Sequence, residues 1–99
     1  MADALKLPAD TALEHTPALL REVDAALDAA ASGATLQIDA SALTAFDTST
    51  IALLLHARRG ATARGLTLQV RGTPPKLREL ALLYGVEELL PLGDAPAAT

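Results

Sequence analysis

The sequence predicts one small α/β domain built on a mostly parallel β-sheet, with its helices mainly on one face. The predicted elements alternate in the order β-α-β-α-β-α along 99 residues, which favours parallel strands joined by helical crossovers. Residues 66–70 alternate between apolar and polar side chains, as expected for a sheet covered on one face only. Hydrophobic residues make up 51% of the chain and aromatic residues 2%, so we expect an aliphatic core.

The first third of the chain predicts a short strand and a helix. The alternating run Leu5-Lys6-Leu7 is stopped by Pro8 and is typical of an edge strand. Residues 9–16 are expected to form a connector or a first helical turn. Thr16 and Pro17 fit the N-cap and the first position of a helix. The apolar face of this helix carries Leu19, Leu20, Val23, Ala26, Leu27 and Ala30, and the helix ends at Ser32-Gly33.

The middle of the chain predicts a strand at 35–39, a polar turn and a second helix. Asp47 stands where a helix N-cap belongs, and the apolar run Ile51, Leu53, Leu54, Leu55 follows it. The helix is expected to end near Arg64, before Gly65, and Gly60 within it to mark fraying.

The last third predicts a strand at 66–70, a turn at 71–75, a third helix and one more short element at 87–92. The apolar positions of the third helix are Leu77, Leu80, Ala81 and Tyr84, and Gly85 stops it. We therefore expect one domain over residues 1–92 and a flexible C-terminal tail over 93–99.

Charge and composition exclude several classes of function. The formal net charge of −4 argues against nucleic acid and against electrostatic attachment to anionic lipid. No apolar run approaches the ~20 residues of a spanning helix, so direct membrane insertion is not expected. The chain has no cysteine, and its first residues do not follow a secretory pattern, which together predict a cytoplasmic protein.

The sequence offers little for catalysis. No glycine-rich phosphate loop is present, and neither His15 nor His56 stands at metal-ligand spacing, so no metal and no cofactor are expected. Asp39 and Asp47 invite a paired-carboxylate interpretation. A helix cap at Asp47 and a turn at Asp39 explain these residues better, and we predict no catalytic residue and no enzymatic activity.

The most informative segment is the start of the second helix. Thr48, Ser49 and Thr50 occupy a first helical turn, where backbone N–H groups are free and the helix dipole is positive. Hydroxyl side chains are favourable there for structural reasons alone. The functional interpretations are a phosphorylation switch, in which about −1.5 to −2 charges are added to one hydroxyl, or a docking surface.

These residues resemble a STAS domain, the family of bacterial anti-sigma factor antagonists and of MlaB-type transporter subunits. The resemblance runs from about Leu5 to Leu92 and rests first on Asp39-Ala40-Ser41, then on Phe46-Asp47-Thr48-Ser49-Thr50 and the aliphatic helix after it. The turn at 72–77 is a second match. The stretch 83–91, together with 53–56, is more similar to MlaB-type subunits than to sporulation-type antagonists.

The resemblance implies a non-enzymatic regulatory module with two alternative partners. In MlaB-type subunits the residue matching Thr48 lies at the contact with the cytoplasmic ATPase of an ABC complex, which moves phospholipid between the inner and outer membranes. In antagonists the hydroxyl matching Ser49 is phosphorylated by an anti-sigma factor kinase. Ser49, and Thr48 beside it, are accordingly the candidate phosphorylation sites.

The sequence departs from the family pattern in two places: the first, at Thr50, shifts weight from switch to docking, and the second, before Leu5, predicts a reduced sheet with an exposed edge. Thr50 stands where the family usually has glycine, and the family usually carries another strand before the one matching Leu5-Lys6-Leu7. The favoured partner is the ABC-transporter ATPase, which would place the protein at the cytoplasmic side of the inner membrane through that partner. The expected contacts are Thr48, Ser49 and Thr50, with His56 and Arg59 as further candidates.

Overall fold

The computed structural model describes residues 3–90 and 92–94 and confirms a small α/β domain. Its strands are β1 (Asp3–Lys6), β2 (Thr35–Asp39), β3 (Thr67–Thr73) and β4 (Leu92–Asp94); its helices are α1 (Thr16–Ala29), α2 (Thr48–Ala63) and α3 (Pro75–Leu83). Two short 3-10 helices cover Leu13–His15 and Glu87–Leu89. The strands form one sheet in the order β1-β2-β3-β4, and every neighbouring pair is parallel.

The two faces of the sheet differ in burial. Leu36 and Ile38 of β2 are fully buried, and Leu68 and Val70 of β3 are nearly so. The residues between them in sequence are half-buried or exposed. Strands in sequential order with right-handed connections place their helices on one face, so the helices cover the apolar face, as the sequence predicts.

The core between the helices and the sheet is aliphatic, as expected. It contains leucine, isoleucine, valine and alanine side chains, with Leu27, Leu54 and Leu77 among the fully buried ones. Gly60 lies inside an intact α2 and does not mark fraying. A Cβ there would lie 2.5 Å from Leu27 Cδ1, so the missing side chain lets α1 approach α2 closely.

The structure corrects the predicted bounds of the elements around the core. The N-cap of α1 is His15, one residue before the predicted Thr16. The strand β3 continues through Gly72 to Thr73, where the sequence predicts a turn. Gly72 has a φ of 68°, and a Cβ there would lie 2.7 Å from Ser41 Cβ. The bend therefore occurs within a paired strand, at a register shift against β4.

The C-terminal third is also partly different from the prediction. Tyr84, expected on the apolar face of α3, is the C-cap residue and is 53% exposed. Gly93 and Asp94, assigned to the tail, belong to β4, and Asp94 pairs with Thr73. The remaining tail, 95–99, lies outside the described residues.

Candidate functional site

The start of α2 is capped by Asp47, as the sequence predicts. The backbone N–H of Ser49 donates to Asp47 Oδ1 at 2.8 Å. The backbone N–H of Asp47 in turn donates to Thr50 Oγ1 at 3.3 Å. The Asp47 side chain also accepts from the backbone N–H of Thr50, so Asp47 and Thr50 cap one another reciprocally. This capping box fixes the direction in which the chain enters the helix.

Hydrogen bonds keep the Asp47 carboxylate ionised. Partial desolvation by itself would raise its pKa, but the N–H groups of Leu13 and Ser49 and the Ser49 hydroxyl outweigh that effect and lower the pKa below its ordinary value of 3.8. At neutral pH the cap is therefore an anion at the positive end of the helix dipole, where a negative charge is stabilising.

Thr50 is buried, and this corrects its assignment as a partner contact. Its side chain is 0% exposed, and its Oγ1 lies 2.8 Å from Thr11 Oγ1. The same hydroxyl donates to the carbonyl oxygen of Thr11 at 3.1 Å. The residue that stands in place of the family's glycine therefore points into the domain, where it binds the connector before α1, and adds no bulk to the surface.

The remaining two hydroxyls of the turn differ in accessibility. Thr48 is exposed, whereas Ser49 is half-buried and has both its N–H and its hydroxyl engaged with Asp47. Thr48 is thus the residue of the predicted trio that stands most openly at the start of the helix.

The other two candidate contacts face in different directions. Arg59 is exposed and lies eleven residues, three helical turns, after Thr48, so both residues are on one face of α2. Ala52 is exposed on that face and Leu55 is half-buried there. His56 instead turns toward α1, where its Nε2 lies 2.7 Å from Asp24 Oδ1. The structure places His56 in a contact between the two helices.

The connector before α1, to which the sequence assigns no functional residue, packs beside this turn. Leu13 is 67% exposed, and its backbone N–H donates to Asp47 Oδ2 at 3.2 Å. Thr11 is 1% exposed and pairs with Thr50. These contacts span 34 and 39 residues of sequence, so no local pattern predicts them. The one signal for this contact in the sequence was an isolated leucine in a polar connector.

Asp39, the second carboxylate considered for catalysis, has a structural role. Its Oδ1 accepts hydrogen bonds from the Ser41 hydroxyl at 2.6 Å and from the Ser41 N–H at 2.9 Å. These bonds, more than the nearby charges of Lys6 and Arg71, lower the pKa of Asp39. Both carboxylates are therefore ionised at neutral pH, and neither is suited to act as a general acid.

One group of possible metal ligands occurs among the described residues. Ligand atoms of Asp10, Glu14 and His15 lie within 4.8 Å of one another. His15 Nε2 is 3.3 Å from Asp10 Oδ2 and 3.6 Å from Glu14 Oε1. All three side chains are about half exposed or more, and exposed acidic groups of this kind are common without a metal ion.

Comparison with known proteins decides the family. A family model described as "Mlab, STAS domain" matches residues 1–91, nearly the whole chain. The chain belongs to the STAS domain family. STAS domains are in general binding modules without catalytic activity, in agreement with the structural roles of Asp39 and Asp47. None of the curated proteins matches this STAS domain by sequence.

A solved structure shares the fold of this STAS domain. The crystal structure of a sulfate transporter family protein from Wolinella succinogenes superimposes with a TM-score of 0.76 at 13% identity, covering 97% of this chain and 79% of that chain. At this identity the likeness concerns the fold alone. Among the described residues, no helix combines the length and the apolar character needed to cross a membrane.

Proposed function

We propose that this STAS domain docks, through the start and outer face of α2, on the cytoplasmic ATPase of an ABC-type intermembrane phospholipid transport system. In that role it supports the assembly or activity of the ATPase and helps to maintain outer-membrane lipid asymmetry. It would sit at the cytoplasmic side of the inner membrane through its partner. The observation that carries the proposal is an exposed Thr48 on a rigidly capped helix start.

The outer face of α2 extends the proposed contact beyond one residue. Thr48, Ala52 and Arg59 are exposed on it, and Leu55 is half-buried. Small and apolar side chains at helical spacing permit close approach of a partner helix. Arg59, the last residue of this face, suits the polar rim of an interface. The resemblance of 53–56 and 83–91 to MlaB-type subunits supports the choice of an ABC ATPase as that partner.

The alternative is an anti-sigma factor antagonist released when Ser49 is phosphorylated. The geometry favours it less, because the N–H of Ser49 already donates to Asp47. A phosphate on Ser49 would lie against this carboxylate, and the repulsion would disrupt the cap. Thr48 has an exposed side chain and no such conflict.

Replacing Thr48 by arginine tests the docking surface. Thr48→Arg is expected to weaken binding to the purified ATPase at least 100-fold in calorimetry, because a long charged side chain would separate the two surfaces. The melting temperature should stay close to that of the unchanged protein, since exposed substitutions usually alter stability by about 0.5 kcal/mol or less. Thr67→Arg is the matched control, as Thr67 is exposed on the uncovered face of the sheet.

Two results separate the candidate functions. Full affinity of Thr48→Arg for the ATPase would contradict docking through this turn. Phosphate on Ser49 after incubation with an anti-sigma factor kinase and ATP, lost in Ser49→Ala and absent from any ATPase complex, would favour the antagonist instead.

A further inference from the structure

The connector before α1 presents an exposed leucine beside the proposed docking turn. Leu13 is 67% exposed, and its backbone N–H is hydrogen-bonded to the cap residue Asp47, which precedes Thr48. We call residues 10–15 the Leu13 turn. A single exposed leucine needs no explanation by itself, but this one lies within one hydrogen bond of the turn that is proposed to bind.

The Leu13 turn is held rigidly against α2. Thr11 is fixed by the buried hydroxyl of Thr50 and by its own N–H, which donates to the carbonyl oxygen of Ala45 at 2.8 Å. On the other side of Leu13, the N–H of His15 donates to the carbonyl oxygen of Ala12 at 2.9 Å. A leucine on a fixed backbone can enter a partner's pocket without the entropic cost of ordering a loop.

Three carboxylates belong to the Leu13 turn or are hydrogen-bonded to it. Asp10 and Glu14 lie in the same turn, and Asp47 accepts the hydrogen bond from Leu13 itself. The lowered pKa of Asp47 keeps it negative at neutral pH. His15, between Asp10 and Glu14, adds a positive charge only when protonated. The complementary surface would therefore be apolar at its centre and carry lysine or arginine at its rim.

We propose that Leu13 is the apolar anchor of the interface and that it enters a pocket of the ATPase bordered by basic side chains. This inference rests on the proposed function, since it names a second element of the same docking surface. Thr50 then contributes to binding indirectly: its buried hydroxyl holds Thr11, and Thr11 sets the position of the Leu13 turn.

Shortening Leu13 tests the anchor. Leu13→Ala is expected to weaken binding to the purified ATPase at least 10-fold, because interface energy is concentrated in a few well-packed side chains. Leu13→Met should retain most of the affinity. The control is Leu83→Ala, since Leu83 is 78% exposed at the far end of α3. Equal affinity of Leu13→Ala and Leu83→Ala would overturn the proposal.

Reversing one charge tests the basic rim. Glu14→Lys should weaken binding several-fold and make the affinity less dependent on salt concentration, because one attraction across the interface becomes a repulsion. Glu79→Lys on the exposed side of α3 is the control and should change neither quantity. If the affinity of Glu14→Lys depended on salt concentration as it does in the unchanged protein, the proposed basic rim of the pocket would be wrong.

The Thr48→Arg variant distinguishes the two levels of failure. If Thr48→Arg abolishes binding while Leu13→Ala binds fully, docking through α2 stands and the Leu13 anchor is wrong. If Thr48→Arg binds fully, the proposed function itself is wrong, and the inference about Leu13 fails with it.

Discussion

The start of α2 and the end of α3 both expose leucine, but the two regions are built differently. In a parallel sheet each connecting helix runs back against the strands. The helix α2 therefore begins near the carboxyl ends of the strands, and α3 ends near their amino ends. At the start of α2, the Leu13 N–H donates to Asp47, and a hydrogen-bonded pair, Thr11 and Thr50, lies beside it. At the end of α3, Leu82 and Leu83 are 64% and 78% exposed on the last turn.

This difference shows why exposure alone does not identify a docking surface. Leu83 is more exposed than Leu13, yet of these two described regions it is the one around Leu13 that combines a fixed backbone, a capped helix start and a cluster of carboxylates. Rigid presentation reduces the entropy lost on binding, and clustered charge selects a partner of opposite sign. Both properties belong to the start of α2.

The largest expected effect is on the free energy of unfolding, when a leucine beneath the outer face of α2 and a leucine at the end of α3 are each shortened. Leu54 is 0% exposed, and Leu54→Ala should lower the free energy of unfolding by about 2–5 kcal/mol, since it removes buried methyl groups and leaves a cavity. Leu83→Ala should cost about 0.5 kcal/mol or less. Urea denaturation measures both. Similar losses in the two variants would mean that the end of α3 is buried in solution.

The next effect compares two threonines of the same helical turn. Thr50→Val should cost about 1–3 kcal/mol, because it leaves the buried hydroxyl of Thr11 without its partner and removes a capping bond. Thr48→Val should cost about 0.5 kcal/mol or less, since Thr48 is exposed. The comparison uses the same substitution two residues apart. Equal stability of the two variants would show that the Thr11–Thr50 pair does not hold the Leu13 turn.

The smallest effect concerns the charge at the start of α2. The pKa of Asp47 is lowered in the folded protein, so its contribution to stability is complete above the unfolded pKa and is lost as the pH falls through the folded value. Between about pH 5 and pH 2, Asp47→Asn should therefore lose less stability than the unchanged protein. Thermal unfolding across this range measures the difference. Parallel pH profiles would contradict an ionised cap. Asp39→Asn provides the comparison for a carboxylate outside the docking turn, since its pKa is also lowered.

Much of the fold was predictable because local rules govern it. The strand at 35–39 and the helix after Asp47 follow the prediction closely, since a cap, an apolar run and a terminal glycine are signals carried by adjacent residues. The continuation of β3 through Gly72 was not predictable, because glycine and two prolines usually mark a turn. The strand is extended by pairing of Arg71 with β2 and of Thr73 with β4.

The candidate site also contains features that local sequence predicts and features that depend on distant residues. Asp47 was recognised as the cap because capping depends on residues within one turn. The burial of Thr50 was missed because its partner, Thr11, is 39 residues away in sequence. The position of His56 also depends on another helix, since Asp24 of α1 holds its side chain.

The sequence by itself determined the α/β class, the aliphatic core and the helix start at Asp47, because periodicity and capping are read from neighbouring residues. Tertiary structure alone decided which hydroxyls of that helix start face the solvent and which exposed leucine stands beside them. Thr50 is buried, Thr48 is exposed, and Leu13 is exposed near Thr48. The physical reason is that packing of the connector 10–15 against α2 joins groups that no local pattern relates.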